Sequence, residues 1–164
     1  MKDTRKTAFL GLFFALSMAF SYLEAMVVIP GLPPGVKLGL SNIVTMYCLF
    51  FLGPKPAYLL TVMKALFTAL TRGPVAAVMS LAGGLCSITL LTLLHQRKKG
   101  GFSYVMLSVF GAVAHNVGQL LAARWVTSVF LYYYIPVLLI AGVAVGTRTG
   151  IIFTALAPYL KNIK

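Results

Sequence analysis

The residues able to do chemistry are few, and that scarcity is the first constraint. Only two carboxylates occur in 164 residues, Asp3 and Glu24. Carboxylate glycosidases and carboxylate metal centres need clustered Asp or Glu, so both are excluded. No G-x-x-x-x-G-K-[ST] loop exists, which rules out ATP hydrolysis by that route. Cys48 and Cys86 lie far apart inside apolar runs, without C-x-x-C spacing, and read as buried free thiols. No cofactor motif is present. What remains is a set of polar residues inside apolar sequence: Glu24, Asn42, Ser80, His115, Asn116, Gln119 and Arg148. Their chemistry is that of binding, through hydrogen bonds and charge, rather than of turnover.

The elements that position them are membrane spans. The chain is 60% hydrophobic and 10% charged, with a mean hydropathy of +0.94. Soluble domains average about 25% charged residues, and a fold this small could not hide so much apolar surface. Six apolar segments stand between polar or Gly/Pro breaks, roughly 7–29, 38–52, 57–71, 74–95, 102–123 and 133–158. They predict an all-α, six-helix membrane bundle in a single domain. The second and third are short. They form either one re-entrant hairpin or, with the Gly-Pro-Lys-Pro stretch at 53–56 as a tight turn, two full crossings. The first run is too long for a signal peptide and ends in no cleavage site, so it reads as an uncleaved span.

The charge is lopsided, with 14 Lys and Arg and a net charge of +12. The bases sit between spans, so they describe topology rather than a nucleic-acid surface. Six spans put both termini on one side, with Lys2, Arg5, Lys6, Lys55, Arg97, Lys98, Lys99, Lys161 and Lys164. Lys37, Arg72 and Arg124 fall on the other. The bias places both termini in the cytoplasm of a bacterial plasma membrane. Lys64 and Arg148 are left inside spans.

Counting helical rise from the cytoplasmic boundary puts His115 and Arg148 at a depth of about 20 Å and Glu24 at about 27 Å. Gln119 lies one turn above His115, and Asn42 and Ser80 enter from the outside. The polar set therefore converges on the outer half from five spans, with only Lys64 to match it in the inner half. Intramembrane polar residues usually face the bundle interior and mark ligand or ion paths, which predicts an outward-facing cavity. Each alone also serves as helix–helix glue. Glu24 and Arg148 could equally form a structural ion pair, and His115 could be a satisfied core histidine.

Three further features stand out. The first external loop, Pro30 to Gly39, holds three prolines and three glycines. It is either a connector or a stiff lid presenting Lys37. Gly83-Gly84 suits a close helix approach or a kink. Gly11, Ala15 and Ala19 recur every four residues as a small-residue stripe, open to another helix of this chain or to a second subunit.

Several stretches resemble a known family. These are Leu32 to Thr45 (LPPGVKLGLSNIVT), Ser80 to Ser87 (SLAGGLCS) and Gly111 to Gln119 (GAVAHNVGQ). They are similar to the Gx transporter family, also labelled heptaprenyl diphosphate synthase component I. The six spans, stripe and loop resemble the substrate-binding S components of energy-coupling factor (ECF) transporters. That resemblance implies capture of a small molecule, docking of a transmembrane coupling subunit on Gly11, Ala15 and Ala19, and two cytoplasmic ATPases. The other label implies at most an accessory membrane subunit of polyprenyl diphosphate synthesis, because catalysis there needs paired aspartate-rich motifs that this sequence lacks. The last-span Arg148 departs from the pattern.

An excess of positive charge near the outer mouth, from Lys37, Arg72 and Arg124 with Arg148 deeper, favours an anionic ligand. Tyr22 and Tyr132 to Tyr134 could line an apolar or planar moiety, or form an interfacial belt. Together these predict an amphipathic anion: an isoprenoid phosphate, a quinone precursor or a vitamin-like molecule.

Overall fold

The computed structural model describes residues 3–26, 39–96, 101–127 and 135–161. Lys37, most of the first loop, the Arg97–Lys99 run and Tyr132 to Tyr134 lie outside the described residues. Every regular element among those described is helical. They are α1 (Asp3–Met26), α2 (Leu40–Tyr47) running into a π-helical turn (Cys48–Leu52), α3 (Pro54–Arg72), α4 (Pro74–Gln96), α5 (Tyr104–Thr127) and α6 (Ile135–Lys161).

These helices occupy the six segments expected. Four of them, α1, α4, α5 and α6, contain stretches long and apolar enough to cross a membrane. The α2 segment, with 8 α-helical and 5 π-helical residues, extends only about 20 Å. It is shorter than the roughly 30 Å of a bilayer's hydrocarbon core. The α3 helix has 19 residues, beginning earlier than expected because Pro54 starts it. Proline suits a first turn, where its missing N–H would be unpaired anyway.

Two one-residue turns explain the tight α2–α3–α4 arrangement. Gly53 (φ 99°) and Gly73 (φ 88°) each precede the proline that opens the next helix. Glycine visits that backbone region without steric cost. At the start of α5, the Ser103 hydroxyl accepts the Met106 N–H at 3.2 Å, an N-cap that fixes the entry of that helix.

Close packing is concentrated in α4, α5 and α6. Gly142, Gly146 and Gly150 form a stripe on α6 that lies against α5. A Cβ at Gly146 would stand 2.6 Å from Val109 Cα, and one at Gly150 2.5 Å from Val105 Cα. Gly83 lets α4 approach the His115 carbonyl, where a Cβ would stand at 2.7 Å, and Gly84 does the same against Thr61 of α3. This supports the close-approach expectation for that pair. The Gly11, Ala15 and Ala19 stripe is different. All three residues are exposed, and a Cβ at Gly11 would meet nothing within 4 Å. No described helix of this chain covers it.

The two ends of the bundle differ in chemistry. Phe13, Tyr47, Phe50, Phe51, Tyr104 and Phe153 form a continuous aromatic cluster, with ring centroids 4.6–6.4 Å apart. Phe153 is fully buried at its centre. These rings gather the N-terminal half of α1, the end of α2, the start of α5 and the later part of α6. They close the bundle at that end, and the polar residues collect towards the other.

Candidate functional site

Gly39 and Glu24 set the site's geometry. Gly39 precedes α2 with φ 85° and offers no capping side chain. A Cβ there would lie 2.6 Å from Thr149 Oγ1 and 2.7 Å from Val145 Cγ1, so glycine lets the start of α2 rest on α6. The cap comes from α1 instead. The Glu24 carboxylate accepts the Leu40 backbone N–H through Oε1 and the Ser41 hydroxyl through Oε2 at 3.4 Å. Glu24 is 4% exposed, and its negative charge sits where the helix dipole favours an anion.

Lys64 completes the group from the middle of α3. Its ammonium lies 3.2 Å from Ser41 Oγ, 3.5 Å from the Ser41 carbonyl and 3.5 Å from Asn42 Oδ1. A base on α3 and an acid on α1 therefore meet through one hydroxyl on α2. Thr45, Thr61 and Thr68 donate to backbone carbonyls one turn earlier in their own helices, which satisfies these hydroxyls in an apolar setting.

Two adjoining cavities, each of ≈ 40 Å³, surround this group. Asn42, Lys64, Ser80, Ala112, His115 and Val145 line both, so Lys64 stands where they meet. The upper lobe adds Ser21, Glu24, Gly39, Ser41, Asn116 and Gly142, towards the end at which α1 stops and α2 and α6 begin. The deeper lobe adds Thr45, Thr61, Ser87, Ser108 and Thr149, towards the aromatic cluster.

Of the residues expected at the site, Glu24, Asn42, Ser80, His115 and Asn116 are brought together. Asn116 also acts as helix glue, donating to the Leu138 carbonyl at 2.7 Å. Gln119 is buried beside Gly83 and lines neither cavity. Arg148 is exposed, and Thr149 takes the inward position one residue on. Arg72 is also exposed; its guanidinium donates to the Ser21 carbonyl at 3.1 Å and ties α3 to α1. Arg148 does not pair with Glu24, whose recorded partners are both on α2.

By depth alone, Lys64 stands apart from this layer. It lies near the centre of its span, and its long side chain reaches the start of α2. The signal that could have found it is its being, with Arg148, one of only two bases inside spans. The inward serines and threonines carry no such signal, since a hydroxyl in a span packs as readily as it binds.

No curated protein and no solved structure matches the chain. The family model for heptaprenyl diphosphate synthase component I matches residues 13–156, which takes in α2 to α5, the larger part of α1 and of α6, and every residue of the site described above. On that match, the chain belongs to the heptaprenyl diphosphate synthase component I family.

Proposed function

We propose that the chain is a non-catalytic membrane subunit that serves polyprenyl diphosphate synthesis and holds a small polar ligand in the cavity around Lys64. Family membership over residues 13–156 carries this reading. The residue inventory accounts for the non-catalytic part. The chain has two acids, Asp3 and Glu24; Glu24 lines the cavity, and its oxygens cap α2. The aspartate-rich chemistry of a prenyl-diphosphate synthase would therefore reside on the other component. The charge bias supports a cytoplasmic location for both termini, where a soluble catalytic component would meet the bundle. The test is to assay that component with and without this chain in membranes. A fall in rate or a change in product length on its removal is expected, and an unchanged enzyme would overturn the reading.

A second reading, the S component of an ECF importer, is favoured by one observation. The Gly11, Ala15 and Ala19 stripe is exposed along α1, as a docking face for a coupling subunit would be. Copurification with a transmembrane coupling subunit and two ATPases, with uptake that depends on the chain, would support it. Small-molecule uptake that is indifferent to deletion of the chain would count against it.

A further inference from the structure

We propose that the deeper lobe is an oxyanion site, in which Lys64 and the hydroxyls of Ser80, Ser87 and Ser108 hold the carboxylate or phosphate group of a compact ligand. This rests on the reading of the cavity as a ligand site and names the group that it takes. Three observations carry it.

The first is unused hydrogen-bonding capacity. Ser80, Ser87 and Ser108 line the deeper lobe, and among the described residues their hydroxyls have no protein partner. Ser108 is 4% exposed and borders the cavity. Hydroxyls at a cavity wall that have no protein partner usually have a water or a ligand.

The second is the charge. Lys64 contacts Ser41 and Asn42 at 3.2–3.5 Å. An ammonium–oxyanion hydrogen bond forms at about 2.7–2.9 Å and is roughly twice as strong as a neutral one. A ligand oxyanion would outcompete these long contacts. Glu24 reaches the same Ser41 hydroxyl and offsets part of this attraction, so the serine hydroxyls must supply the rest of the oxyanion's binding.

The third is size. Each lobe offers ≈ 40 Å³, against the roughly 10–15 Å³ that one water needs on the same measure. That space suits a phosphate or carboxylate group. A longer chain or a fused ring system would need space beyond that of the deeper lobe.

Phosphate and carboxylate share this chemistry, and separate titrations distinguish them. The protein, purified in detergent and in phosphate-free buffer, is titrated with inorganic phosphate, pyrophosphate and acetate, and thermal unfolding is followed against chloride at equal ionic strength. At least one oxyanion should raise the unfolding midpoint saturably. Affinity should fall roughly tenfold or more in Lys64→Gln, and by a smaller factor in Ser108→Ala. The proposal is overturned if no oxyanion exceeds chloride, or if Lys64→Gln responds like the parent. Should Lys64→Gln fail to fold, the double variant Ser87→Ala/Ser108→Ala decides: weaker binding supports the proposal and unchanged binding overturns it. The synthase assay has a different readout, so the functional reading and this one fail independently.

Discussion

The carboxylate of Glu24 caps a helix that begins 16 residues later, by accepting the N–H of Leu40. An acid near the end of α1 thereby sets where α2 starts, and Gly39 leaves the cap position empty for it. Replacing Glu24 with Ala orphans a part-buried N–H and removes an anion from a helix N-terminus, at an expected cost of about 2 kcal/mol. Glu24→Gln keeps a carbonyl acceptor and should cost less than half as much. Denaturant unfolding in detergent measures both. Equal losses would mean that charge, not the cap, is what matters at this position.

Gly39 makes a sharper prediction. Its φ of 85° alone costs a non-glycine residue about 1–2 kcal/mol, and a Cβ would overlap both Thr149 Oγ1 and Val145 Cγ1. Gly39→Ala should therefore destabilise by more than about 2 kcal/mol once overpacking is added. Adding Thr149→Ala removes one clash and leaves the other, so recovery should be partial. Full recovery would show that Val145 and the backbone adjust freely.

The two small-residue stripes should separate under one type of substitution. Gly146→Val drives a side chain into the α5 backbone at Val109, and overpacking of this kind costs about 1–3 kcal/mol or more. At Gly11 a Cβ meets nothing within 4 Å among the described residues. Gly11→Val should leave the unfolding midpoint near that of the parent and disturb only association with a partner. Thermal unfolding paired with copurification reads both effects. A large drop in stability for Gly11→Val would place the stripe inside the fold rather than at a docking face.

Hydropathy made the helices legible, because 15 to 25 apolar residues between Gly, Pro and basic breaks leave few other solutions. It also foretold the convergence of Glu24, Asn42, Ser80, His115 and Asn116, since residues at equal depth on neighbouring spans must meet if they face inward. Facing was the missing quantity. Depth cannot separate Arg148 from Thr149, which differ by one residue and by about 100° around α6. Nor could depth foresee that Lys64 extends to the start of α2, or that Glu24 is spent on capping. Those depend on which helices pack together. The tight seam proved to be Gly142, Gly146 and Gly150 on α6, while the equally regular Gly11 stripe stayed uncovered. Spacing alone gives no means of ranking the two.

The difference between the bundle's ends predicts access to the site from one side. The aromatic cluster around Phe153 closes one end, and the polar lobes lie towards the end holding Glu24 and Arg72. With Cys48→Ala and Cys86→Ala as background, Ser80→Cys places a thiol at the wall shared by both lobes. In sealed vesicles of known orientation, a small membrane-impermeant thiol reagent should label it from the Glu24 side only. Adding Phe153→Ala removes a ring that packs against Phe50, Phe51 and Tyr104. It should cost about 3–5 kcal/mol and admit reagent from the second side. Equal labelling from both sides with Phe153 intact would show that the aromatic cluster is no barrier. The cavity would then be a passage rather than a pocket.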